Sequence, residues 1–78
     1  AEAFEFIALE TSEITDRPFK DIDFPSGTIV GAICRGEEII IPDGNSVIRP
    51  GDHVVIFTPC SAIGELEKLL TVKLEYFG

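Results

Sequence analysis

The chain has 78 residues, of which 45% are hydrophobic and 26% charged, so it has the size and composition of one small globular domain. The net charge of −8 argues against nucleic acid as a partner, because phosphate backbones bind to basic surfaces. No apolar run approaches the ~18 residues of a membrane span, so we expect no segment that crosses a bilayer. Because the chain contains no methionine, residue 1 is not a translational start, and we expect a segment of a longer protein.

The first third of the chain predicts a strand, a loop and a short helix. Residues 3–10 alternate as a strand does, and the face that we expect to be buried consists of Phe4, Phe6 and Ala8. The polar residues 11–17 predict a loop. Residues 18–24 predict one or two helical turns, which begin at a proline and end at Pro-Ser-Gly.

The middle of the chain predicts a hairpin. Thr28–Cys34 and Glu38–Ile41 are β-branched, apolar runs separated by a tight connection. Gly31 lies inside the first run, which indicates a bulge or a close approach of another group to the backbone. Residues 42–45 and 49–52 predict turns, the second with Pro-Gly in the type II positions.

The last third of the chain predicts a strand over residues 53–58 and a helix over residues 62–70, capped by Thr58 or Ser61. The tail 71–78 alternates weakly, and we expect an added strand, a partner contact or in part a cloning remnant. The order of elements predicts an α+β fold: a small, curled, mostly antiparallel sheet of four to five strands with a short helix and a C-terminal helix.

Motifs that carry chemistry are scarce. The sequence has neither a Gly-x-Gly-x-x-Gly nor a P-loop, and one histidine with two separated cysteines does not match the spacing of a zinc site. We therefore expect no catalytic residue, no metal site and no enzyme activity. We also expect no buried carboxylate, because no acidic residue falls where the apolar pattern demands burial. Arg35 ends a strand, where it would bind an anion or pair with Glu37 or Glu38.

The apolar strands indicate a partner. Both faces of residues 28–34 are apolar, and a single core of this size cannot cover them, so we expect a symmetric dimer. The residues that we expect at the dimer interface are Ile29, Ile33, Ile39 and Ile41. His53 begins a strand after a turn, where it is either hydrogen-bonded at the strand edge, a ligand contact or a pH-sensitive group.

Residues 3–70 resemble the TrkA-C domain family, also called RCK_C. The resemblance is carried by an ordered series of motifs: Pro25–Ile33 (PSGTIVGAI), Arg35-Gly36, Ile39–Pro42 (IIIP), Ile48–Phe57 (IRPGDHVVIF) and the helix Ile63–Leu69. It implies one regulatory domain over residues 1–78, without catalytic activity. Such domains are cytoplasmic, lie against the inner face of the membrane through a transporter subunit, and form homodimers.

The resemblance also implies a function and a set of ligand contacts. The function is that of a ligand-sensing domain of a Trk- or Ktr-type potassium uptake system, which changes the gating of its membrane subunit. A small ligand would be contacted by Arg35, Asp43, Asn45 and His53. No cofactor is expected here, because NAD or ATP would bind a separate nucleotide-binding domain. The alternatives are a TrkA-C domain of another cation antiporter or anion transporter, and a purely structural dimerisation module.

Some members of the family bind a cyclic dinucleotide in the dimer groove through an Asp-x-Arg motif and an asparagine early in the next strand. Asp23 matches this pattern. Pro25 stands in place of the arginine and Ile29 in place of the asparagine. These departures predict that a cyclic dinucleotide does not bind.

Overall fold

The computed structural model describes residues 1–12 and 14–77. It is an α+β fold, which confirms the predicted class. The strands are β1 (Glu2–Ile7), β2 (Ile29–Arg35), β3 (Glu38–Ile40), β4 (His53–Thr58) and β5 (Glu75–Tyr76), and the helix is α1 (Ile63–Leu70). Single turns of 3₁₀ helix lie at Phe19–Asp21 and Cys60–Ala62. Among the described residues, no helix combines the length and the apolarity that crossing a bilayer requires.

The five strands form one antiparallel sheet in the order β3-β2-β4-β1-β5. β2 and β3 form the predicted hairpin, and the long β4 lies at the centre between β2 and β1. The tail adds β5 to the free edge of β1, so the first of the three possibilities for this segment is correct for Glu75–Tyr76. A parallel bridge between Thr15 and Ile48 holds the two long loops together.

One face of the sheet carries the hydrophobic core. Helix α1 packs against this face through Leu66 and Leu70, which are fully buried. The predicted inward face of β1 is confirmed, since its three members are buried. The buried members of the core are Phe4, Phe6, Ala8, Ile14, Ile22, Ile33, Ile48, Val54, Ile56, Leu66 and Leu70.

Gly31 produces the predicted bulge in β2. The pairing with β4 shifts register between Val30 and Ala32, so that Gly31 is an extra residue in the ladder. A Cβ atom at Gly31 would lie 2.5 Å from Cε2 of Phe57, which only a glycine tolerates without moving the ring. The bulge resets the alternation of β2, and Ile29 therefore points to the same side of the sheet as Ala32.

The start of α1 differs from the prediction. Neither Thr58 nor Ser61 caps the helix; a 3₁₀ turn that follows Pro59 leads into it, and no side chain forms a cap hydrogen bond. The Thr58 hydroxyl instead lies 3.0 Å from that of Thr28. A proline ahead of the turn fixes the chain direction, so a side-chain cap is not needed to start the helix.

The strand β1 is shorter than the predicted 3–10. It ends at Ile7, because the next backbone groups pair with the turn that precedes β4. The Ala8 N–H donates to the Asp52 carbonyl at 2.9 Å, and the Gly51 N–H donates to the Ala8 carbonyl at 2.9 Å. Gly51 has a φ of +87° at the third position of this turn, which confirms the predicted type II geometry.

Candidate functional site

The surface of the sheet opposite the core is open. Apart from the bulge at Gly31, the strands alternate, so the residues between the core positions point to this second surface. We call it the outer face; it comprises Ala3, Glu5, Ile7, Ile29, Ala32, Cys34, Ile39, His53, Val55, Phe57 and Glu75. Except for the two glutamates and the histidine, these are apolar side chains and one thiol. Helix α1 lies on the other side of the sheet, so the outer face has no second layer in the described part of the chain.

Several large apolar side chains of the outer face are exposed to an unusual degree, whereas Val55 on the same face is buried. Ile29 is 66% exposed, Ile39 71% and Phe57 42%. Ile41, just beyond β3, is 77% exposed. The fourth residue expected at a dimer interface, Ile33, is 0% exposed, and this part of the prediction is wrong. The bulge at Gly31 explains the error, because it turns Ile33 into the core while Ile29 stays outside.

Polar groups gather at one border of the outer face, where β4, β1 and β5 meet. The His53 Nε2 atom lies 3.2 Å from Oε2 of Glu5, across the β1–β4 ladder. The two side chains border a surface depression of about 250 Å³. The residues lining this depression are Glu5, Phe6, Ile7, His53, Lys73 and Glu75. Two carboxylates, an amine and an imidazole are therefore close to an apolar surface that has no cover.

Arg35 and Asp52 form a two-pronged ion pair on the core side of the sheet. Nε of Arg35 donates to Oδ1 of Asp52 at 3.0 Å, and Nη2 donates to Oδ2 at 2.8 Å. Nη2 also donates to the Val47 carbonyl at 3.1 Å. Asp52 is 2% exposed and accepts a further hydrogen bond from the backbone N–H of Arg49. The pair ties the loop before β4 to the end of β2.

The environment of Asp52 changes its protonation. Burial by itself opposes ionisation, but the hydrogen bonds from the Arg35 guanidinium and the Arg49 N–H, with the charge of Arg35, outweigh it. The net result is a pKa for Asp52 below its ordinary value. The same contact raises the pKa of Arg35, chiefly through its hydrogen bond to Asp52. The expectation that no carboxylate is buried is wrong, and so is the expectation that Arg35 pairs with its neighbouring glutamates.

The four expected ligand contacts do not lie together. The Asp43 carboxylate accepts the N–H of Asn45 at 2.8 Å and the hydroxyl of Ser46 at 3.4 Å, so it stabilises its own turn. Arg35 is held by Asp52 on the core side, whereas His53 lies on the outer face. The two side chains lie on opposite sides because Cys34 is the register partner of His53. Arg35 follows Cys34 in β2, so its side chain points to the other side of the sheet.

Sequence reasoning missed Asp52, although one signal was available. In a chain that alternates, the residue before His53 must point to the opposite side of the sheet, which is the core. An aspartate placed there needs a cation, and Arg35 ends the neighbouring strand on the same side.

Comparisons with known proteins give the fold and its sequence relatives. The family model of the TrkA-C domain matches residues 3–71. A Trk system potassium uptake protein TrkA homolog of Methanosarcina mazei is 43% identical over 68 residues, which are 87% of this chain and 15% of that protein. A Trk system potassium uptake protein TrkA of Halomonas elongata is 41% identical over 81 residues, which are 99% of this chain and 18% of that protein. The chain therefore spans less than a fifth of the length of these relatives.

Two solved structures of BusR from S. agalactiae share the fold. One is its RCK_C domain dimer in complex with c-di-AMP, with a TM-score of 0.76 and 22% identity over 91% of this chain and 97% of that chain. The other is BusR in complex with its busAB-promotor DNA, with a TM-score of 0.77 and 22% identity over 91% of this chain and 36% of that chain. At 22% identity, the similarity to these structures supports a shared fold and nothing more.

Proposed function

This chain belongs to the TrkA-C domain family, and we propose that it is the dimerising, ligand-sensing regulatory domain of a Trk-type potassium uptake system. The observation that carries the proposal is the apolar outer face, which nothing in the described chain covers. Its sequence relatives are potassium uptake proteins, and an RCK_C domain of the same fold forms a dimer. The domain acts without catalysis, at the cytoplasmic side of a membrane subunit, and NAD or ATP binds in a separate domain.

The outer face has the properties of a dimer interface. The molecule measures 30 × 27 × 21 Å, and its two longest dimensions span an area of the order of the ~800 Å² that each partner contributes to a standard interface. Its members on β2, β3 and β4 include no acidic residue in a chain with 14 acidic residues, as is usual at the centres of interfaces, and its two glutamates lie on β1 and β5. Phe57 lies at its centre strand and is the side chain whose burial we expect to contribute most. A second copy of the chain is its proposed occupant.

A ligand regulates such a dimer through its differential affinity for two arrangements of the protomers. Of the four expected contacts, His53 lies on the outer face beside the depression, and it is the contact that we propose for a ligand at the dimer border. Asp43 and Asn45 are exposed in a loop and remain proposed contacts for a ligand that reaches this loop. The guanidinium of Arg35 is occupied by Asp52, and its proposed contribution is to fix the position of that loop.

The proposed ligand is not c-di-AMP. Pro25 is buried and has no N–H to donate, and Ile29 presents an apolar side chain on the outer face. Isothermal titration of the chain with c-di-AMP should therefore give no heat of binding at concentrations that saturate the BusR domain. A thermal-shift screen with nucleotides and cations would then identify what the domain senses, because a ligand of the native state raises the unfolding midpoint. The acidic surface argues in the same way against DNA, and a gel-shift assay tests this.

The dimer is tested by sedimentation equilibrium of the chain and two variants. Phe57→Asp places a charge on the outer face and should give a monomer. Leu9→Asp is the matched control, because Leu9 is 43% exposed, as Phe57 is, but lies beyond β1. A monomeric wild-type chain, or an equal loss of association in both variants, contradicts the proposed interface.

The role in transport is tested in the M. mazei relative. The matching segment of that protein is replaced by this chain, and uptake of rubidium as a potassium tracer is measured in cells that lack their own uptake regulator. Restored uptake supports the function, and the Phe57→Asp variant of the chimera should lose its regulation. A chimera that assembles but leaves uptake unchanged contradicts a regulatory role.

A further inference from the structure

His53 is the one histidine of the chain, and its imidazole lies at the border of the outer face. Its Nε2 atom is 3.2 Å from the Glu5 carboxylate, and the side chains are 45% and 26% exposed. Histidine is the side chain that ordinarily changes charge between about pH 5 and about pH 8. The contact is an ion pair when the imidazole is protonated and a neutral hydrogen bond when it is not.

The charged and titratable groups around His53 come from three other segments. From β1, Glu5 faces it directly, and from β2 its register partner is Cys34 with a free thiol. Lys73 and Glu75 line the same depression from the tail side. With both carboxylates and the amine ionised, this cluster carries a net charge of −1 when His53 is neutral and zero when it is protonated. Protonation of His53 therefore brings the net charge of the cluster to zero.

We propose that dimerisation through the outer face is coupled to protonation of His53, so that the dimer tightens as the pH falls. This inference rests on the proposed dimer. An interface on the outer face removes water from the Glu5–His53 pair, and an unbalanced charge becomes costly when it is desolvated. The monomer bears that charge in water at little cost. Association therefore binds protons, and by linkage protons strengthen association.

The direction and size of the effect follow from the symmetry of the dimer. A two-fold interface contains two copies of the cluster, so up to two protons are taken up for each dimer formed. Coupling free energies of this kind amount to a factor of about 5 to 150. We expect the dimer dissociation constant to rise about tenfold or more between about pH 5.5 and about pH 8.

The test is sedimentation equilibrium of the 78-residue chain across this pH range, with His53→Gln and Glu5→Gln. His53→Gln keeps a hydrogen-bonding side chain and should make the dissociation constant independent of pH. Glu5→Gln neutralises the cluster without a proton on His53. It should therefore dimerise more tightly than the wild type at about pH 8 and lose or reverse the trend.

The outcomes separate this inference from the proposed dimer. A chain that stays monomeric throughout contradicts the dimer itself. A dimer whose dissociation constant does not change with pH, or whose pH dependence persists in His53→Gln, overturns the coupling and leaves the dimer intact. Cys34→Ala should retain the wild-type dependence, and its loss in this variant would assign the titration to the thiol and overturn the role of His53.

Discussion

The two faces of the sheet carry similar apolar residues but differ in how far these are exposed to solvent. On the core side, Ile33 and Val54 are fully buried beneath α1 and the long loops. On the outer face, Ile29 and Phe57 come from the same two strands and stay exposed. In the described part of the chain there is one α-helix, of eight residues, and together with the long loops it covers one side of the five-stranded sheet.

This contrast separates the residues that stabilise each protomer from those of the proposed dimer interface. Side chains on the core side contribute to the folding of each protomer, whereas in the proposed dimer those of the outer face would be buried by a second protomer. Polar pairs follow the same division, since Arg35–Asp52 holds a loop on the core side and His53–Glu5 lies on the outer face. Residues that are adjacent in the chain, such as Asp52 and His53, therefore lie on opposite sides of the sheet and have different roles.

The largest effect should come from comparing Ile33→Ala with Ile29→Ala, two changes in β2 on opposite faces. Ile33 is fully buried, and its truncation leaves a cavity, so we expect a loss of about 2 to 5 kcal/mol in the free energy of unfolding. Ile29→Ala should change the free energy of unfolding of the monomer by less than about 0.5 kcal/mol but weaken the proposed dimer. Urea titrations at several protein concentrations separate these two terms.

A large loss of monomer stability in Ile29→Ala would mean that the outer face is covered within one protomer. An Ile33→Ala variant with wild-type stability would place this side chain outside the core. Either result contradicts the division between the two faces.

The second comparison uses neighbours, Asp52→Ala and His53→Ala. Removing the buried carboxylate leaves the Arg35 guanidinium without its partner and frees the loop, and we expect a loss of about 2 to 4 kcal/mol. His53→Ala removes an exposed contact and should cost under about 1 kcal/mol in the monomer. Thermal unfolding of both variants in dilute solution measures the difference, and equal losses would contradict the assignment of these residues to opposite faces.

Much of the fold could be predicted from alternation and turn residues, because both are local properties. The bulge at Gly31 and the turn at Gly51 are examples, since each needs a backbone geometry that favours glycine and is therefore visible in the sequence. The buried pair was not predictable in this way. Arg35 and Asp52 are far apart in the chain, and only the register of β2 against β4 brings the two side chains together.

The candidate site was predicted less well than the fold for the same physical reason. Apolar residues on both sides of β2 indicated a partner, but the bulge decides which isoleucine faces it, and Ile33 was assigned to the wrong side. The contact of His53 with Glu5 joins two strands that are far apart in the sequence. A sequence pattern gives the face of a residue more readily than its neighbour across the sheet.

The third comparison sets Gly31→Ala against Gly64→Ala. A methyl group at Gly31 would lie 2.5 Å from the Phe57 ring and must displace it, at a cost of about 1 to 3 kcal/mol. Within 4 Å of the same position at Gly64 in α1 there is nothing, so alanine should stabilise the helix by about 0.5 to 1 kcal/mol. Urea titration gives both values, and a stable Gly31→Ala with an unmoved ring would contradict the close approach.

The smallest effect concerns acid, and it distinguishes the two polar pairs by pH. The pKa of Asp52 is lower in the folded chain than its ordinary value of 3.8. A group of this kind contributes its full stabilisation above its unfolded pKa, and the contribution is lost as the pH falls from about 4 through the lower folded value. In Asp52→Asn there is no carboxyl to protonate at this position, so the acid-induced loss of stability should be smaller than in the wild type.

The matched control is Asp23→Asn, which removes an exposed carboxylate and should keep the wild-type acid profile. Urea titrations from about pH 6 to about pH 2 measure all three proteins. Association should show the opposite sign, because in the proposed coupling the dimer tightens as the pH falls, whereas protonation of Asp52 weakens the fold. If Asp52→Asn followed the wild-type profile throughout, the ion pair would contribute nothing to folding, and the loop before β4 would be held by its backbone hydrogen bonds alone.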